Sequence, residues 1–159
     1  KGNDMKLLDT SNSNTKVRKT ERAADAVRIA SLSLMPDSIL CPHSTNAGCF
    51  NLCLKTSGYG KFDNVAQGRQ LKTDYWHDDR TGFLDQLKRE LQNFETLCTR
   101  TDVRPVVRLN VLSDIQWERH GIPQAFPTIS FYDYTKQAHR IGKTPANYRL
   151  MFSYSGAAK

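Results

Sequence analysis

The sequence predicts an α/β domain, a partial (β/α) barrel-like parallel sheet of about four strands with a cysteine-rich loop after the first strand. Three observations carry this. A run of period two precedes an irregular loop, a long segment has apolar residues at three- and four-residue spacing, and three further β-rich runs follow with short connectors between them. The length of 159 residues suits one domain, here residues 28–159, behind a polar, basic N-terminal arm at residues 1–27.

The arm is marked by the Asn/Ser/Thr cluster from Thr10 to Thr15 and by Lys16, Arg18, Lys19 and Arg22, with few large apolar side chains. From Arg28 to Leu34, Ile29, Ser31 and Ser33 alternate with Ala30, Leu32 and Leu34, which predicts the first strand, ending before Pro36. Pro36 to Lys61 is dense in Cys, Pro, Gly, Ser and Asn and too irregular for a long helix, so it reads as a functional loop. Asp63 to Trp76 is ambiguous, with helical spacing only around Val65, Arg69 and Leu71. The Asp78-Asp79 pair then offers an N-cap. Phe83, Leu84, Leu87, Leu91, Phe94 and Cys98 follow as one apolar stripe, with Lys88, Arg89, Gln92 and Glu95 towards water. Pro105–Leu112, Thr128–Tyr134 and Tyr148–Tyr154 are the remaining strands, and Gly121, Pro123 and Gly142 keep their connectors short.

A composition of 38% hydrophobic and 25% charged residues excludes wholesale disorder. No apolar run approaches the ~20 residues of a bilayer span, and the N-terminus lacks a secretory signal, so the expected location is the cytoplasm, away from membranes. The net charge of +7 favours polyanions. Lys and Arg outnumber acidic residues 7 to 4 over residues 1–28 and 5 to 1 over residues 121–159. Lys136, Arg140, Lys143 and Arg149 are accordingly candidate phosphate contacts, with nucleic acid the expected partner.

The sharpest chemical signal is Cys41, Cys49 and Cys53, a C-x7-C-x3-C group in the loop after the first strand. Clustered thiols in a chain without a secretory signal point to metal or redox chemistry rather than structural disulfides. Three thiolates can hold an iron–sulfur cluster with one iron open to another ligand, or zinc with His43 as the fourth ligand. Cys98, on the apolar helix stripe, reads as a small buried hydrophobe.

A second set of candidates sits where strands end, the positions at which α/β folds meet ligand. Asn110, Ser113 and Asp114 follow the second strand, Asp133, Tyr134, Thr135 and Lys136 close the third, and Ser153, Ser155 and Gly156 close the fourth. With the cysteine loop, four strand ends would share one rim. Trp76, Trp117 and Tyr132 could stack on a base, although aromatic residues beside strands are more often core. The chain has no phosphate-loop, dinucleotide, zinc-protease or serine-hydrolase motif.

The runs SLSLMPDSILCPHSTNAGCFNLCLKTSGYGKF, VVRLNVLSDIQWE, ISFYDYTKQAHR and NYRLMFSYSG, spanning Ser31 to Gly156, resemble the phage gene-product-eighty-eight family. In order they are also similar to radical S-adenosylmethionine enzymes and spore photoproduct lyases. The cysteine spacing differs from the C-x3-C-x2-C of that group, and Asn110, Ser113 and Asp114 stand where it carries Gly-Gly-Glu. The resemblance implies a phage protein in an infected host cell, with a 4Fe-4S cluster on Cys41, Cys49 and Cys53, S-adenosylmethionine on the open iron and a nucleic-acid substrate. The contrasting expectation is a non-catalytic, zinc-stabilised module that binds nucleic acid or a host protein. A second copy, in a homo-oligomer, could complete the barrel.

Overall fold

The computed structural model describes residues 5–10, 27–42 and 63–154. In chain order they form β1 (Leu8–Asp9), β2 (Val27–Leu32), α1 (Asp63–Asp78), α2 (Arg80–Arg100), β3 (Arg104–Arg108), α3 (Ile122–Ala125), β4 (Ser130–Thr135) and β5 (Tyr148–Phe152), with 3-10 turns at Trp117–His120 and Ala138–Arg140. The strands make one five-stranded sheet in the order β1-β2-β3-β4-β5. β1 runs antiparallel to β2, and every other neighbouring pair is parallel. The architecture is thus a mixed α/β fold on a mostly parallel sheet. Each parallel strand lies beside its predecessor, as successive βα units require, and among the described residues β1 and β5 are the sheet's two edges.

Burial explains the strands. Ala30 and Leu32 of β2, Val107 of β3, Phe131 of β4 and Tyr148 of β5 all enter one apolar core, and the register sets Ala30 beside Val107, Val107 beside Phe131, and Phe131 beside Tyr148. α2 covers this face with the stripe that its spacing predicts: Phe83, Leu87, Leu91, Phe94 and Cys98 are buried. Its N-cap is Asp79, whose Oδ1 accepts the Gly82 N–H at 2.9 Å. The ambiguous segment before it is a full helix, α1, which buries only Thr73 and Trp76. Trp76 makes tilted or edge contacts with Phe83, Trp117 and His120 at centroid distances of 5.2–5.4 Å, so Trp76 and Trp117 are core rather than a stacking platform.

The boundary drawn between an arm and a domain at residue 28 does not hold for Leu7 and Leu8. Both are buried, and Leu8–Asp9 forms the outer strand of the sheet. Helix side chains grip this short strand: Glu90 accepts the N–H groups of Leu7 and Leu8, Lys72 donates to the Leu7 carbonyl at 2.9 Å, and Gln86 donates to the Met5 carbonyl at 2.6 Å. Burial lowers the Lys72 pKa from the usual lysine value. No helix among the described residues is long and apolar enough to cross a membrane.

The stripe position of Cys98, fully buried, gives a direct expectation. Cys98→Ala should cost about 1–2 kcal/mol, the loss of one small apolar group from a packed helix face, and leave any bound metal in place. Denaturation midpoints and metal quantification on the same samples check it, and metal loss would tie Cys98 to the cysteine loop.

Candidate functional site

Because β2 to β5 are parallel, their carboxyl ends share one edge, and three segments meet there: Leu40–Cys41 after β2, Asn110–Asp114 after β3 and Thr135–Gln137 at the end of β4. The backbone stitches them, with the Asp114 N–H donating to the Leu40 carbonyl at 2.8 Å and the Ser153 N–H to the Thr135 carbonyl at 2.9 Å. Most of the predicted rim residues lie at this edge, but they bind one another.

Asn110 is a buried hub. Its Oδ1 accepts from the Ser113 hydroxyl, the Ile115 N–H and the Trp117 indole at 2.8–3.0 Å, while its Nδ2 donates to the Ile115 carbonyl. This folds the chain after β3 into a tight loop and seats Trp117. Asp114 has both oxygens engaged: Oδ2 accepts from the Thr135 hydroxyl and the Lys136 N–H, and Oδ1 from Arg140 at 2.9 Å. Arg140 also forks onto Glu118, through Nε at 2.9 Å and NH2 at 2.8 Å. Its burial opposes the charge, yet the hydrogen bonds and charge of Glu118 prevail, and the Arg140 pKa lies above the ordinary value. The reading of Arg140 as a phosphate contact is corrected here, because the side chain is only 3% exposed and its guanidinium bridges two carboxylates.

Asp133 is fully buried on the core side of β4, where it accepts the Asn110 N–H at 2.7 Å and the Tyr148 hydroxyl at 2.9 Å. Burial pushes its pKa up to about 7 against the lowering effect of these bonds, and raises that of Tyr148. Neither Asp133 nor Asn110 faces solvent, so both act on the rim from beneath. Tyr134 lies on the opposite face of the sheet, 45% exposed. Lys136 donates to the Ser153 carbonyl at 2.5 Å, tying the ends of β4 and β5. Lys143 and Arg149 are exposed. Ser155 and Gly156 lie outside the described residues, as do Cys49, Cys53 and His43.

A pocket of about 200 Å³ opens beside this network, lined by Leu40, Trp76, Arg80, Gln116, His120 and Gln137, with Asp114 at its wall. Arg80 lies over the Trp76 ring at 4.8 Å, and burial together with the Arg80 charge lowers the His120 pKa. Gln116 donates to Gln137 at 2.6 Å across the pocket wall. The sequence had not marked Arg80, Gln116, His120 or Gln137, since each is an isolated polar residue with no motif around it. Gln116 and His120 flank Trp117 in one short turn, and that is the signal which could have placed them.

Cys41 sits at the border of this pocket, between Leu40 and Pro42 of its lining. It is partly exposed, and its thiol donates to the Leu112 carbonyl at 3.3 Å. Nearby, burial raises the Asp37 carboxyl pKa, but the Leu40 and Ile39 N–H groups and His77, at 2.8 Å, outweigh it and lower the pKa overall. Among the described residues no group of three His, Cys, Asp or Glu is placed to hold a metal ion, and two of the three candidate thiols lie outside them.

A family model described as Gene product 88 matches residues 5–159. No curated protein and no solved structure matches, so the similarity to radical S-adenosylmethionine enzymes and spore photoproduct lyases gains no support from these comparisons.

Proposed function

Given that the chain belongs to the Gene product 88 family, we propose that it is a metal-binding protein whose thiolate ligands are Cys41, Cys49 and Cys53, with Cys41 beside a small pocket at the carboxyl edge of the sheet. The observation that carries this is the place of Cys41, in the segment after β2 and beside a pocket that offers Arg80, Gln116 and His120. Iron–sulfur is the first reading of the metal, and such a cluster would supply one-electron chemistry. A zinc-stabilised, non-catalytic module is the second. It is favoured by the mutual bonding of Asn110, Ser113, Asp114 and Thr135, which commits most rim groups to structure.

Anaerobic purification with iron, sulfide and zinc quantified tests the proposal. Matched iron and sulfide support a cluster, and zinc without sulfide supports the second reading. The three thiols should act as a set, so that changing any one of Cys41, Cys49 and Cys53 to Ala sharply lowers metal content. A wild-type protein free of all three elements, or metal indifferent to the three substitutions, overturns the reading.

A further inference from the structure

We propose that the face of the sheet opposite α2, carried by β3, β4 and β5, binds single-stranded nucleic acid. Strand register defines this face. Val106 stands beside Ser130, Tyr132 beside Arg149 and Tyr134 beside Met151, while Val107, Phe131 and Tyr148, on the alternate side, enter the core. Along β3 the same side carries Arg104, Val106 and Arg108. The face therefore holds three guanidinium groups and two phenol rings, with no acidic residue on its β3 to β5 part.

Its groups are available. Arg104 and Arg149 are exposed, Tyr134 is 45% and Met151 40% exposed. Among the described residues the ion pairs fall elsewhere, and none involves these three arginines. Arg108 is half-buried and lies over the Tyr134 ring at 5.1 Å; its Nε is buried and has no hydrogen-bond partner among the described residues. Such a pair presents a flat, cationic platform. Tyr132 and Tyr134 are two residues apart on one strand, so their ring attachments are about 6.6 Å apart on the same side.

This combination discriminates between occupants. A duplex offers phosphates but keeps its bases stacked inside, leaving aromatic rings little to contact, whereas a single strand presents phosphates and bare base faces together. One exposed and one half-buried ring, Tyr134 and Tyr132, interleaved with arginines match the second. The surface differs from the one that charge counting alone suggested, since of Lys136, Arg140, Lys143 and Arg149 only Arg149 lies on it. It also stands independently of the metal, because it uses no residue of the carboxyl-edge pocket.

The test is a fluorescence anisotropy titration of a labelled oligothymidylate with the full chain at several salt concentrations. Binding should weaken linearly in log–log form as salt rises. Arg104→Gln and Arg149→Gln should each shrink the slope by roughly 0.7, the value for one single-strand phosphate contact. Tyr134→Ala should weaken binding roughly 5- to 150-fold while Tyr134→Phe stays near wild type, as stacking requires. Lys143→Gln should change neither affinity nor slope, and metal content should be equal in all variants. Should Tyr134→Ala fail to fold, the two exposed arginines still carry the test. Absence of a complex at low salt overturns the proposal, as does binding that is indifferent to Tyr134→Ala and the arginine changes. Equal affinity for a duplex of the same length would remove the stacking argument, and self-association lost in Tyr134→Ala without oligonucleotide binding would make the face an interface between copies.

Discussion

Replacing Arg140 with Met is expected to cost about 3–5 kcal/mol, because it leaves the partners of a buried ion pair without compensation. The guanidinium joins Asp114, in the loop after β3, to Glu118, in the turn that seats Trp117, from a position just beyond β4. The Asp114 carboxylate is held in place by other bonds and cannot swing out to water cheaply, whereas the Glu118 carboxylate is only 15% exposed and takes its side-chain bonds from Arg140. Asp114 remains fixed by the Thr135 hydroxyl and the Lys136 N–H. Against a total stability of ~5–15 kcal/mol for a domain, the loss is a large share. Arg140→Lys should fall between wild type and Met, since a point charge cannot reproduce the fork onto Glu118 while reaching Asp114. Denaturant midpoints measure both variants, with Lys143→Gln as an exposed control expected within ~0.5 kcal/mol. A loss under 1 kcal/mol for Arg140→Met would show that the carboxylates find other partners.

The same residue shows where the sequence was legible and where it was not. Arg140 carries a charge that counting detects, but its two partners lie 26 and 22 residues earlier and only folding brings them near. Charge is local information, whereas partnership is not. By contrast, α2 was legible to within a residue or two because both its determinants are local: Asp79 caps it and its apolar stripe recurs at helical spacing. α1 was ambiguous for a related reason, since a helix that buries only Thr73 and Trp76 has almost no stripe to read.

β1 was missed entirely. Two buried leucines in a polar stretch make no period, and the side chain that holds them, Glu90, is more than eighty residues away. The rim was half legible. Polar residues at strand ends marked Asn110, Ser113, Asp114 and Thr135 as neighbours, which they are. Whether they face a ligand or one another depends on hydrogen-bond direction, which spacing does not encode. The groups left lining the pocket, Arg80, Gln116 and His120, are those that sequence gave no reason to choose.

Asp133 leads to the other large effect, a contribution to stability that falls as pH rises from about 4 to about 7. Burial holds the folded carboxyl's pKa at about 7, while an unfolded aspartate titrates near 3.9. Between those values the folded chain keeps a proton that the unfolded chain has released, so rising pH favours unfolding by about 1.4 kcal/mol per unit. The contribution is fully present below about pH 4, is lost progressively up to about pH 7, and is constant above, for a total of roughly 3–4 kcal/mol. The Asn110 N–H and the Tyr148 hydroxyl already favour the charged form, which limits the rise. Asp133→Asn separates this effect from all other carboxylates. An amide oxygen can still accept the Asn110 N–H, its NH2 can donate to the Tyr148 oxygen, and no charge need be buried. The difference in stability between Asp133→Asn and wild type should therefore grow in favour of the variant from pH 4 to pH 7 and level off above, as read from urea midpoints at each pH. Parallel curves would mean that Asp133 ionises in the fold at its ordinary pKa. A loss for Asp133→Asn already present at pH 4, where the wild-type carboxyl is protonated, would be read apart from that slope and would mean that Tyr148 and Asn110 require a carboxyl geometry which the amide cannot supply.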